Sequence, residues 1–273
     1  MSQSSRHVIV LGAGPAGLAT AHELSDNDVK VTVLEQQNFV GGLCRTIEDK
    51  GYRFDLGGHR WFSKNQDLNN WFKALMKDEL VMVNRTSRIY YDRKFFFYPI
   101  NISDVIKKTG IITIIHAGIT FTWSKLKKVF SNPPIINMKQ AYVAQFGSKL
   151  YEMFFRRYTE KVWGLPCEQL SSDWVSQRSK GLSIWSILRE ALLSDNKDKY
   201  VSLIDEFMYP RYGFMRIAER MADKVTSLGN EVKINTKVTG IHYHGANKIE
   251  VFYLEDNEQK SIIGTDVVST LPM

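Results

Sequence analysis

Three glycines, at positions 12, 14 and 17, stand in the run Gly12-Ala13-Gly14-Pro15-Ala16-Gly17 directly after a short apolar stretch. That spacing suits one kind of chemistry, the holding of a pyrophosphate against backbone amides. Gly12 permits a tight strand-to-helix turn, Gly14 lets the backbone approach phosphate oxygens without a Cβ in the way, and Gly17 lets the helix pack closely on the strand. Pro15 and Ala16 belong to the same turn and are counted with it as ligand-binding residues. The helix that follows offers free N–H groups and a partial positive charge to the phosphates. Glu35 lies 18 residues past Gly17, at the end of the next apolar run. Its carboxylate is placed to accept hydrogen bonds from adenosine ribose hydroxyls, and it would repel a 2′-phosphate. Together these residues read as a corner for the ADP moiety of a dinucleotide.

Such a corner needs a βαβ unit to build it. His7–Leu11 has the form of a strand buried on both faces. Leu18, Ala19, Ala21 and Leu24 give helical spacing up to the turn cluster Ser25-Asp26-Asn27-Asp28, and Val29–Leu34 makes the second strand. Further on, Leu68–Met76 predicts a helix, while Arg88–Asp92 and Lys94–Tyr98 predict a hairpin. From Ser103 to about Arg189 the pattern is mostly helical, interrupted at Asn132-Pro133-Pro134 and Gly164-Leu165-Pro166. After Tyr209-Pro210 it returns to α/β. Phe214–Leu228 is an amphipathic helix closed by Gly229-Asn230. Glu231–Ile234, Thr236–His242, Lys248–Leu254 and Lys260–Ile263 read as strands, the last two joined at Glu255-Asp256-Asn257. Asp266–Thr270 is a final buried strand. The expected fold class is α/β: a Rossmann-like dinucleotide domain of residues 1–65 and 211–273, with a mainly helical substrate-side domain of residues 66–210 inserted into it.

The segments after Glu35 point to a family. Gln36-Gln37-Asn38-Phe39-Val40-Gly41-Gly42-Leu43-Cys44-Arg45-Thr46 resembles the stretch after the second strand in flavoproteins with two dinucleotide-binding domains. The resemblance implies that Gly41, Gly42 and Arg45 approach the FAD pyrophosphate. Two glycines exposing N–H groups beside a permanent cation make chemical sense there. Gly51-Tyr52-Arg53-Phe54-Asp55-Leu56-Gly57-Gly58-His59-Arg60-Trp61-Phe62 looks like the stretch passing the isoalloxazine ring in amine oxidases, protoporphyrinogen oxidases and UDP-galactopyranose mutases. Gly57 and Gly58 would let backbone lie against the ring, and His59 would donate to it or stack beside it. Lys237-Val238-Thr239-Gly240-Ile241 sits where these proteins hold adenine by strand backbone, which singles out Val238. Asp266-Val267-Val268-Ser269-Thr270-Leu271-Pro272 resembles the strand by which the chain leaves the FAD domain, with Thr270 beside the cofactor.

Three further segments resemble the UDP-galactopyranose mutase side of the superfamily: Phe96-Phe97-Tyr98-Pro99-Ile100-Asn101, Tyr158-Thr159-Glu160-Lys161-Val162-Trp163-Gly164, and Tyr209-Pro210-Arg211-Tyr212-Gly213-Phe214. Trp163 can stack on a uracil or flavin face, and Lys161 or Arg178 can meet a diphosphate. Two departures count against a strict mutase. Val162 stands where the mutases have Gln, and the segment after Gly57 lacks their second His. Members of the superfamily also continue well past the strand at 266–270, so a chain ending at Met273 is expected to carry an incomplete site. Three readings follow from the resemblance: an oxidoreductase in which FAD N5 accepts a hydride from an organic substrate, a redox-neutral mutase acting on a nucleotide sugar, and a truncated, non-catalytic FAD-fold paralogue.

Composition bounds the remaining classes. With 273 residues, 44% hydrophobic and 24% charged, the chain can bury two cores. The net charge of +7 comes from scattered basic residues, fitting a solvated surface or attraction to a phosphorylated or membrane-bound substrate. Nothing resembles a nucleic-acid module. Two cysteines, Cys44 and Cys167, give no disulfide framework and no zinc pattern, which fits a reducing, cytoplasmic compartment. No metal site is expected. Gly110–Trp123 is uncharged, but fourteen helical residues cover about 21 Å against a hydrocarbon core of roughly 30 Å. It reads as a buried helix or a monotopic membrane contact.

Overall fold

The computed structural model describes residues 6–97, 102–131, 133–178 and 206–272. The chain divides into two units, residues 1–84 with 206–273 and residues 85–205.

In the first unit, β1 (His7–Leu11) leads through the glycine turn into α1 (Pro15–Asp26) and back to β2 (Lys30–Leu34). The order in the parallel sheet is β13-β1-β2-β9, where β9 is Glu231–Lys233 and β13 is Asp266–Ser269. β1 is therefore central. Its alternate residues serve two cores, as a strand covered on both faces must. Val8 and Val10 pack with Leu18 and Ala21 of α1, Phe72 and Met76 of α2 (Gln66–Met76), and Met221 and Val225 of α8 (Arg216–Ser227). Ile9 and Leu11 face the other way, onto Val251 and Tyr253 of an antiparallel sheet. That sheet is β10 (Thr236–Tyr243), β11 (Ile249–Glu255) and β12 (Glu258–Gly264). β12 starts two residues before the sequence pattern does. Asp256 and Asn257, at φ +53° and +64°, form a two-residue hairpin turn that carries pairing through to Glu255 and Glu258.

Two small ladders complete the unit. β3 (Thr46–Asp49) pairs with β4 (Tyr52–Asp55), and β5 (Leu80–Asn84) pairs with β8 (Glu206–Pro210). These corrections move the expected domain boundaries. Residues 66–84 and 206–210, assigned from sequence to the inserted part, belong to the dinucleotide unit. Phe72 and Met76 are fully buried in the core of β1 and α1, and β5 finds its partner in β8.

The second unit opens with the hairpin β6 (Arg88–Tyr91) and β7 (Lys94–Phe97). Helices follow: α3 (Ile102–Thr109), α4 (Ile111–Ser131), α5 (Met138–Phe146), a π-helical turn (Tyr151–Arg156), α6 (Arg157–Trp163) and α7 (Asp173–Arg178). Asn137 starts α5 with a reciprocal cap, its side chain accepting from the Gln140 amide while the Gln140 side chain accepts from the Asn137 amide. Met138, Tyr142, Phe146, Tyr151 and Cys167 form one core, and Phe96, Val105, Met153 and Phe154 a second.

Candidate cofactor site

The glycine turn has the geometry that its spacing predicts. Gly12 takes φ +98°, and its N–H donates to the Leu34 carbonyl at 2.9 Å. A Cβ on Gly17 would lie 2.0 Å from the Gly12 carbonyl oxygen, so no side chain fits there. On Gly14 a Cβ would meet nothing within 4 Å, so the turn opens outward at that point. Pro15 occupies the first turn of α1, no side chain caps the helix and no acid stands in its first turn. The helix N-terminus is thus left for an anion.

Glu35 is turned into this corner and is buried. Its Oε2 accepts from the Ala13 N–H at 2.7 Å and its Oε1 from the Gln37 N–H at 2.9 Å. An ionised carboxylate has about four acceptor positions, so each oxygen keeps one for a ribose hydroxyl. The backbone of Glu35 is also fixed: its carbonyl accepts from Thr236 at the start of β10, and its N–H donates to Lys233 of β9.

Gly41 and Gly42 close the corner from above. The Gly41 N–H donates to the Ala13 carbonyl at 2.8 Å, its φ is +108°, and a Cβ there would press on Met215 at 3.0 Å. A Cβ on Gly42 would stand 3.4 Å from the Gly14 Cα. Arg45 is exposed, with its guanidinium 4.2 Å above the centre of the Phe39 ring. Among the described residues no carboxylate is within ion-pair distance of it. Thr270 supports the turn from behind, its hydroxyl donating to the Leu11 carbonyl at 2.9 Å. Val238 packs against the cluster of Ile9, Leu11, Leu34, Val251 and Tyr253, and a bulge between Val238 and Gly240 breaks the β10–β11 ladder there.

His59 follows the second glycine pair. Its ring stacks on Phe214 with centroids 5.3 Å apart, and its Nδ1 is 3.9 Å from Asp55 Oδ2. That nitrogen is buried without a hydrogen bond. Gly57 lies against the same imidazole, and Gly58 has open space on its Cβ side. The residue that sequence reasoning missed is Asp55. Its Oδ2 accepts from the Tyr209 hydroxyl at 2.5 Å, and its Oδ1 from the Thr46 hydroxyl at 2.5 Å and the Phe214 N–H at 3.1 Å. Burial first, and then the bond to Asp55, push the Tyr209 hydroxyl well above the usual tyrosine range, so it stays a donor. Both ends of this network lay in segments singled out from sequence, which was the available signal.

Lys161 and Trp163 belong to α6 of the second unit, and both are exposed. Trp163 meets Trp174 edge-on, with centroids 5.1 Å apart. Two residues apart on a helix, Lys161 and Trp163 leave it in different directions. Arg178 ends α7, and its side chain lies outside the described residues, as do residues 98–101 of the aromatic-Pro-Ile-Asn segment. A cleft of about 380 Å³ in the first unit is lined by Glu48, Arg53, Glu79 and Arg216 rather than by the glycine corner. Arg53 pairs there with Glu48 at 2.7 Å and Arg216 with Glu79 at 2.8 Å, so its charges are already matched. Among the described residues no His, Cys, Asp and Glu cluster is arranged to hold a metal ion.

The model of the flavin containing amine oxidoreductases matches residues 15–273. The chain belongs to that family. FAD is the cofactor of these amine oxidoreductases, and the corner fits its ADP half. The chain is 26% identical over 267 residues to a phytoene desaturase of Fusarium fujikuroi, covering 88% of this chain and 45% of that protein. It is 22% identical over 260 residues to a coproporphyrinogen III oxidase of Staphylococcus aureus, covering 87% of this chain and 55% of that protein. It therefore spans about half the length of these curated relatives. Among solved structures, reduced UDP-galactopyranose mutase superposes with TM-score 0.74 at 23% identity, over 98% of this chain and 56% of that one. A putrescine oxidase superposes with TM-score 0.56 at 18% identity, over 98% of this chain and 58% of that one. At those identities the likeness is one of fold.

Proposed function

We propose that this chain forms the ADP-holding and ring-facing part of an FAD-dependent oxidoreductase acting on a small organic molecule. The observation that carries the reading is Glu35 turned into the glycine corner, held by the Ala13 and Gln37 amides with acceptor capacity left over. In this reading Gly12, Gly14, Pro15, Ala16, Gly17, Gly41, Gly42 and Arg45 receive the pyrophosphate, and Glu35 grips the adenosine ribose. Val238 and Thr270 border the same ligand. When bound, FAD supplies a hydride acceptor at N5. Gly57 and Gly58 leave room for a flat ring, and Asp55 with Phe214 sets the direction of the His59 imidazole beside it. Lys161, Trp163 and Arg178 form the substrate side. The two unpaired cysteines support a reducing, cytoplasmic setting.

A second reading, a redox-neutral isomerase of a nucleotide sugar, draws support from Trp163, whose half-exposed indole can take a uracil face, and from the exposed Lys161 on the same helix. Anaerobic addition of substrate separates the two. Bleaching of the flavin band favours hydride removal, whereas turnover only after prior reduction, with no net electron transfer, favours the isomerase.

The first experiment is an absorbance spectrum of the purified chain, with thermal melts in FAD, ADP and NAD. A flavin band near ~450 nm and a melting point raised by FAD and ADP are expected. A colourless protein whose melting point FAD leaves unchanged would sink the reading in favour of a non-catalytic paralogue. A response to NAD alone would point to a nicotinamide enzyme.

A further inference from the structure

Helix α4 carries its bulky apolar side chains outward. Ile112, Ile115, Ile119, Trp123, Leu126 and Phe130 recur at intervals of three and four residues, so they share one face. They are between 45% and 82% exposed. The face turned into the unit carries Thr113, Ile114, Ala117, Thr120, Phe121 and Ser124, with Ile114 packed against the core of Phe96 and Phe154. The Thr120 and Ser124 hydroxyls donate to carbonyls of the same helix, and the Thr113 hydroxyl to the Thr109 carbonyl at the end of α3. This face packs so closely that a Cβ on Gly147 would stand 2.8 Å from the Phe121 nitrogen. A helix on a water-facing surface would turn polar side chains, not a bulky apolar stripe, to the outside.

The sequence around this helix is rich in lysine: residues 105–151 contain seven (107, 108, 125, 127, 128, 139 and 149) and no Asp or Glu. Lys108 pairs with Asp104 and Lys139 with Glu168, whereas Lys125, Lys127 and Lys128 on α4 have no carboxylate partner among the described residues. Lys127 borders the apolar stripe on one side. Lys125, on the other, donates to the Ala144 carbonyl, and burial lowers its pKa. No helix among the described residues is long and apolar enough to cross a membrane. An apolar stripe with an indole in it, edged by lysines, matches a helix lying in the plane of a lipid interface.

We propose that α4 is a monotopic anchor. It lies on an anionic phospholipid bilayer, with the Ile112-to-Phe130 face in the acyl boundary and the lysines among the headgroups. The proposal is independent of the cofactor reading, since every residue it uses lies in the second unit.

The test is flotation of the full chain with vesicles of phosphatidylcholine alone and of an equal mixture of phosphatidylcholine and phosphatidylglycerol. The chain is expected to float with the mixed vesicles, less with the neutral ones, and less again as salt rises. The double variant Ile119→Glu/Trp123→Glu is expected to bind roughly tenfold more weakly or worse, with the same circular dichroism and melting point. Should that variant misfold, quenching by bilayer-brominated lipids decides instead: the wild type is quenched, and Trp123→Phe still floats but loses most of the quench. Wild type that remains at the bottom with both vesicles overturns the proposal. A dimer that the double variant makes monomeric, without flotation, overturns it too and gives the face to a second copy of the chain.

Discussion

An alanine at position 17 would put its Cβ 2.0 Å from the Gly12 carbonyl oxygen, which is backbone and cannot swing aside. Gly17→Ala is therefore expected to cost about 1–3 kcal/mol or more and to abolish any rise in melting point on adding FAD or ADP. Asp55 behaves differently, because its cost is one of unmatched donors. Two hydroxyls and one N–H point at its carboxylate. Asp55→Asn would turn an NH₂ group towards some of them, and about 1–3 kcal/mol of destabilisation is expected, read by urea denaturation. The glycine spacing was legible in the sequence because the whole signal falls within six residues and each glycine answers a local backbone demand. Asp55 was not. Its partners Tyr209 and Phe214 lie 154 and 159 residues away, and no local pattern announces a hydrogen bond across that distance.

At the scale of elements, Glu79 ties the end of α2 to α8 by accepting from both Arg216 and Arg220. The bond from Arg216 is the larger cause, joined by Arg220, that holds the Glu79 carboxyl below its usual range. A carboxyl depressed on folding adds stability above its unfolded pKa, and that stability is lost as pH falls through the lower folded value. The wild type should thus lose stability as pH drops below about 4.3, the ordinary value for glutamate. Glu79→Gln should be less stable at neutral pH and show a shallower fall in acid, seen in melts from pH 7 to roughly 3. The strands β5 and β8 escaped the sequence reading because no turn or glycine signal joins them and their mutual pairing spans the whole inserted unit. α4 was read as helical throughout, but its apolar face only as far as Trp123. Its last turns hold three lysines, which broke the apolar run without breaking the helical spacing.

Taken whole, the molecule lets its second unit leave and return through one pair of neighbouring residues. Asn84 and Glu206 are cross-strand partners, and such residues stand about 4.5–5.5 Å apart. Replacing residues 85–205 with an Asn-Gly turn should leave a first unit that melts cooperatively and still responds to ADP, checked by circular dichroism. The α/β class was readable because strand and helix alternate at both ends of the sequence, while the boundaries were not, since α2 reads as helical wherever it packs. The position of β1 also has a bearing on how the protein comes to be made. Its two neighbours are β2, which follows at once, and β13, whose adjoining Thr265 is 258 residues from His7. Until residues 266–269 have been made, one side of that strand has no partner, a template for mispairing between nascent chains. Yield in cells should accordingly depend on chaperone supply and growth temperature far more than the stability of the finished fold would suggest.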